Sequence, residues 1–224
     1  MSGYDTLEVV RDGPVGWLVF DRPDVGNAID ARMFDDLEAA WSELDDDGAV
    51  QTIVTTGNGN AFQTGLDMAQ LARDPDALRK SSRRTRDAAL RMTAWHCGVT
   101  KPVIAAVNGV CAGGGLHFVA DADIVIAADR ATFLDPHVSV GQVSAFETIG
   151  LARKAPMEAI SRMALVGRHE RMSAEHARRL GIVSEVVAPD ALRRRAQELG
   201  ETIAAHDPDH LAAIKTALWG ALER

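Results

Sequence analysis

The chain has 224 residues, 46% hydrophobic and only 5% aromatic, which suits one large aliphatic-cored domain or two small ones. A formal charge of −8, from 32 acidic against 24 basic residues, argues against broad binding to nucleic acid or anionic membrane. No apolar run approaches the ~20 residues that cross a bilayer. The opening MSGYDTLEVVRDG has no basic segment leading into an apolar one, so no secretory signal is expected.

Residues 7–11 and 17–20 are rich in β-formers and are separated by DGPVG, the pattern of an opening hairpin. Asp30 is placed to cap a helix running to about Leu44, with Met33, Leu37, Ala40, Trp41 and Leu44 at helical spacing. Residues 50–57 form an apolar strand ended by glycine, and the following NGNAFQTG is a loop by composition. Helices are expected over residues 66–72 and 76–97, then a strand in KPVIAAVNG with Pro102 at its start. A helix over residues 114–122 leads into the strand DIVIAA. Ser173 caps a later helix that Gly181 stops. IVSEVV is a last short strand, and the chain from Pro189 onward is helical with a break at Pro208. Strands alternating with helices predict a largely parallel, right-handed α/β core. The division expected is a core over residues 1–188 and a C-terminal helical segment over 189–224.

The two cysteines, Cys97 and Cys111, lack metal-ligand spacing to another Cys or His, so no metal is expected. Without secretory context they are free thiols of a cytoplasmic protein. Two basic clusters, residues 79–86 and 193–195, are solvated helix faces or a local anion site.

Gly113, Gly114 and Gly115 interrupt an apolar stretch at a strand-to-helix turn. Glycine there either permits close helix packing or lets a ligand approach unpaired backbone N–H groups. A second turn, at Gly65, also leaves a strand and enters a helix. Two such turns can aim two amide donors at one carbonyl oxygen, an arrangement suited to enolate or tetrahedral chemistry. No G-x-G-x-x-G is completed, since Phe118 stands where the third glycine would be.

FDRPDVGNAID, TIVTTGNGNAFQTGLDM, KPVIAAVNGVCAGGGLHFVADADIVIAAD and MSAEHARRLGIVSEVV, in that order over residues 7–187, resemble the enoyl-CoA hydratase/isomerase superfamily, the crotonases. The resemblance implies an α/β fold, a crotonase-like ββα spiral (superhelix) core, assembled as trimers or hexamers and acting on acyl-CoA thioesters. Coenzyme A would arrive as part of the substrate, with no bound cofactor. The thioester oxygen would be held by the N–H groups of Leu66 and Gly114. Thr64, Gly65, Asp67, Met68, Gly113 and Arg22 would surround the substrate, with Arg22 and Lys101 as cations for the CoA phosphates. The C-terminal segment is shorter than usual for the family.

One departure is chemical. The two positions that carry catalytic glutamates in hydratases hold His117 and His137. They flank a helix of about nine residues, rising ~13 Å, and a strand that returns a similar distance, so they come back to one end of the sheet. Histidine is a competent base near neutrality. Asp135, two residues before His137, either orients its imidazole or is an ordinary turn aspartate before proline. Glu147 falls in the first turn of the next helix, as a displaced acid or a helix-dipole partner. The activities left open are hydration or isomerisation through an enolate, hydrolysis of a thioester or β-diketone by histidine-activated water, and acyl-CoA binding without catalysis.

Overall fold

The computed structural model describes residues 3–74, 76 and 91–222. The predicted hairpin is present: β1 (Leu7–Asp12) pairs antiparallel with β2 (Val15–Phe20). The Asp30 side chain accepts from the Met33 N–H at the start of α1 (Ala31–Asp46).

From there the chain repeats one winding three times. A strand enters a large sheet, a short strand follows in a second sheet, and a helical segment closes the turn. The windings are β3 (Thr52–Gly57), β4 (Ala61–Gln63) and α2 (Met68–Arg73); β5 (Val103–Val107), β6 (Val110–Ala112) and α3 (Gly115–Ala120); and β7 (Ile124–Ala128) and β8 (Thr132–Leu134), followed by a 3-10 turn, His137–Val140, and α4 (Phe146–Leu151). After α5 (Met157–Val166), β9 (Met172–Ser173) and α6 (Ala174–Leu180) lead to β10 (Glu185–Val187). Ser173 caps α6 and Gly181 (φ 89°) ends it, as their residue types predict. The C-terminal helices are α7 (Leu192–Ala204) and α8 (Pro208–Leu222).

The large sheet has the order β1-β2-β3-β5-β7-β10, and the small one β4-β6-β8-β9. Pairing is parallel except for β1 with β2 and β8 with β9. Period-two alternation divides the strand side chains between two apolar layers. Leu18, Phe20, Val103, Ala105, Val125 and Ala127 face α1 and the small sheet, while Val15, Trp17, Val19, Ile104, Ile126 and Ala128 face Leu192 and Ala196 of α7. Burial on both faces explains why these strands are nearly continuous apolar runs.

Two expectations need correction. The stretch expected to be loop contains β4, whose three residues are too few to show alternation. Residues 91–97 form turns ending at Gly98 (φ 73°) and not the end of a helix; residues 77–90 of that expected helix, and the basic cluster 79–86, lie outside the described residues. The second basic cluster is a solvated helix face: Arg195 pairs with Glu185 and Arg193 donates to Asn58. Cys111 is buried, Cys97 half-buried, and both are free. No helix among the described residues is long and apolar enough to cross a membrane.

Candidate active site

The three windings stack, so β4, β6 and β8 are consecutive parallel neighbours and release their C-terminal turns along one edge. Those turns are Thr64–Gly65–Leu66, Gly113–Gly114 and Asp135–Pro136–His137. The carboxyl edge of parallel strands is where open α/β sheets place ligands.

The first two turns touch. A Cβ on Gly65 (φ 87°) would lie 2.9 Å from the Gly114 amide nitrogen, and one on Gly114 would lie 3.3 Å from Gly65 Cα. Leu66 bridges Ile29: the Ile29 N–H donates to the Gly65 carbonyl and the Asp67 N–H to the Ile29 carbonyl. Alternation along an extended segment then turns the Leu66 N–H away from Ile29. Among the described residues, neither the Leu66 nor the Gly114 N–H donates to a protein acceptor, although nearly all sheltered amides in folded proteins are paired. The loop carrying Ile29 is itself fixed. Asn27 donates to the Asn58, Ala61 and Phe62 carbonyls, while its own side-chain oxygen accepts from the Arg22 amide. The third glycine has a packing reason, since a Cβ on Gly115 would meet the Gln63 carbonyl oxygen at 2.2 Å.

The third turn carries an imidazole that packs against the glycine turn. His137 Cε1 lies 3.6 Å from the place of a Cβ on Gly113. His137 Nδ1 donates to Asp135 Oδ1 at 2.5 Å, and the His137 amide donates to the same oxygen. His117, on α3, places Nε2 3.2 Å from Glu147 Oε1, and His137 Nε2 is 3.7 Å from that oxygen. The two histidines, twenty residues apart in sequence, thus converge on one carboxylate oxygen from α4.

The charges agree with this wiring. The hydrogen bond from His137 to Asp135 holds the imidazole above its ordinary pKa despite its burial, with Glu147 adding to the effect. Burial would raise both carboxylates, but the bonds from His137 to Asp135 and from His117 to Glu147 outweigh it and hold each below the usual range. His137 therefore stands between two carboxylates that favour its protonated form. A neutral His117 that donates Nε2–H to Glu147 keeps Nδ1 as an acceptor. Two imidazoles and a carboxylate thus gather near two amides that donate to nothing among the described residues. Among the described residues no three His, Cys, Asp or Glu side chains group as a metal site.

Most other residues singled out in the sequence have partners in the scaffold. The Arg22 guanidinium is committed to the Ala28 carbonyl, Asp30 and Asp67, and Lys101 Nζ to the Leu44 and Asp47 carbonyls at the end of α1, so both expected phosphate cations have structural partners. Asp67 caps α2 by accepting from Ala69 and Gln70. Thr64 Oγ1 donates to the Gly26 carbonyl, and Met68 is exposed. The sequence carried no signal for the neighbours of His117, namely His96, Thr93 and Asp121, which turns and not periodic elements supply.

Residues 11–224 match the enoyl-CoA hydratase/isomerase family model. Among curated relatives, (E)-benzylidenesuccinyl-CoA hydratase of Thauera aromatica is 34% identical, over 95% of this chain and 80% of its own. Carnitinyl-CoA dehydratase of Salmonella enteritidis is 33% identical, over 94% and 79%. Among solved structures, an enoyl-CoA hydratase/isomerase from Mycobacterium paratuberculosis superposes with a TM-score of 0.88 at 37% identity, over 99% of this chain and 84% of that one. The enoyl-CoA hydratase from Mycobacterium tuberculosis gives 0.85 at 30% identity, over 98% and 91%.

Proposed function

The chain belongs to the enoyl-CoA hydratase/isomerase family, and on that premise we propose that it adds water to, or removes it from, the 2,3-bond of an acyl-CoA thioester, using histidines where hydratases use glutamates. The observation that carries this reading is the pair of unpaired amides from two abutting turns beside a donor–acceptor pair of imidazoles.

In this reading the thioester oxygen accepts from the Leu66 and Gly114 N–H groups, where charge grows as the enolate forms. Fixed donors aimed at developing charge are commonly the largest single catalytic contribution. In the hydration direction, His117 Nδ1 takes a proton from water as its oxygen bonds to the β-carbon. The enolate α-carbon then takes the proton carried by His137. Glu147, hydrogen-bonded to His117 and within reach of His137 Nε2, keeps the two rings in place; His117 Nδ1 then gives up its proton to solvent and His137 regains one from solvent, and the site is reset. Asp135 orients His137 throughout. Gly65 and Gly113 let the substrate approach the backbone. The names of the relatives, hydratases and dehydratases of CoA thioesters, support water chemistry at this carbon. Isomerisation of a double bond would use the same carriers without water.

The close Asp135–His137 pair also favours a second reading, hydrolysis by histidine-activated water. Exposed Val143, Phe146 and Ile149, running together along the chain, support self-association as a trimer or hexamer. The free thiols support a reducing, cytoplasmic setting. Residues 1–188 are taken as the core carrying the site and 189–224 as the segment covering its outer face.

Absorbance assays with crotonyl-CoA, a 3-enoyl-CoA and a 1,3-diketone separate these chemistries. Reversible loss of the crotonyl-CoA chromophore is the expected result. Cleavage of the diketone or release of free CoA would establish hydrolysis instead, and tight acyl-CoA binding without turnover would reduce the protein to a scaffold.

A further inference from the structure

Behind His117 lies a second imidazole that the chemistry above does not use. Thr93 Oγ1, buried, donates to Asp121 Oδ2 at 2.8 Å and stands 2.7 Å from His96 Nδ1. A hydroxyl that gives its own proton to a carboxylate must accept from the imidazole. Neutral His96 therefore carries its proton on Nδ1, leaving Nε2 an acceptor with no partner among the described residues. The His96 ring meets the His117 ring edge-on, 6.1 Å between centroids, and its side chain is 26% exposed, against 10% for His117. His96, His117, Glu147, His137 and Asp135 thus form one run of contacts, in which His96 is the most exposed side chain. Among the described residues, His96 Nε2 and His117 Nδ1 have no partner.

We propose that His96 is a positioning residue of the acyl-CoA site: anchored by Thr93 and Asp121, it exchanges protons between His117 and solvent. A proton that His117 has taken from water or substrate leaves Nδ1 and crosses to His96 Nε2 through one solvent molecule, a reach this ring separation allows. His96 then loses it to buffer and returns to neutral. The groups facing His96 are consistent with a transient carrier: its burial, the charge on His117 and the more distant Arg153 oppose a resident proton, and Asp121 alone favours one. His96 is therefore suited to pass a proton on and not to keep it. The role rests on the catalytic reading above, but its test has an arm that does not.

In that arm, imidazole Hε1 resonances are followed through a pH titration of the whole protein, with His96→Asn used to assign its peak. The His96 midpoint is expected below that of a free imidazole. It should rise by about half a pH unit in His117→Asn, which removes the neighbouring charge. A midpoint that does not respond to His117→Asn overturns the proposal, whether or not any substrate is turned over. In the kinetic arm, His96→Asn and Thr93→Val are assayed at low buffer concentration. A roughly tenfold loss in kcat with little change in KM is expected, restored as imidazole buffer is added. Loss that imidazole does not restore assigns His96 a purely structural role and overturns the proposal. Unchanged kcat at low buffer also overturns it. If wild type turns over none of the three substrates, the functional reading fails and the titration alone decides the coupling.

Discussion

A backbone donor can be deleted without changing any side-chain chemistry where proline fits, and Gly114 is such a place. Its φ of −54° lies within the range that proline imposes, and its N–H supports no hydrogen bond among the described residues. The new Cβ would stand 3.3 Å from Gly65 Cα and 3.8 Å from Ile29 Cδ1, so neighbours must yield by only a few tenths of an ångström. The fold should lose about 1–2 kcal/mol from that crowding, offset by roughly 0.4–1 kcal/mol from a stiffer unfolded chain. Catalysis should suffer far more. Removal of one donor to a developing oxyanion lowers kcat about 10²–10³-fold, roughly 3–4 kcal/mol. Gly114→Ala is the control, because it brings the same Cβ and keeps the N–H. The assay is kcat and KM with the substrate that wild type turns over, beside a thermal melt of each variant. Proline should fall at least 10²-fold below alanine, with acyl-CoA affinity changed less than kcat, since the lost contact matters most in the transition state. Equal activity in the two variants would refute the assignment of this amide to the substrate oxygen.

Three further outcomes follow from the site. Asp135→Asn removes the anion that holds the proton on His137, so the alkaline limb of the kcat profile should move to lower pH; an unmoved limb would separate His137 from the proton-donating step. The same pairs set stability. His137, raised above its ordinary 6.5, stabilises the fold fully below that value and less as pH rises through its folded pKa, whereas Asp135 and Glu147 stabilise it above their ordinary 3.8 and 4.5 and less as pH falls through their depressed values. Urea unfolding should therefore show greatest stability in the mildly acidic window between, and Asp135→Asn should flatten the curve. For Gly115→Ala, a Cβ 2.2 Å from a backbone carbonyl should cost about 3 kcal/mol or more, lowering Tm well below that of Gly114→Ala.

Long periodic elements were legible before any coordinates. The hairpin, α1 with its Asp30 cap, and the strands at residues 52–57, 103–107 and 124–128 all carry enough apolar positions to declare a period. β4, β6 and β8 do not, because a strand of three residues is defined by its neighbours and not by its own alternation. Those strands carry the site-bearing turns, so the backbone geometry came into view only through the glycines. Spacing brought His117 and His137 together correctly. It gave no hint that Glu147, read equally well as a dipole partner, sits between them, or that Thr93 and Asp121 hold a third imidazole beside them. Arg22 and Lys101 show the converse: a cation in the sequence carries no mark of the carbonyls and carboxylates it pairs with after folding.

The abutment of the Gly65 and Gly114 turns means that two tiers of the pocket respond differently to genetic change. Codon substitutions exchange imidazole for carboxylate at positions 117 and 137 freely, yet almost none of them deletes a peptide N–H. In the proposed reading, carbonyl polarisation is thereby insulated from point mutation, while the acid–base repertoire stays open to drift. A chain of this construction can trade one reaction for another and still greet the same thioester in the same way.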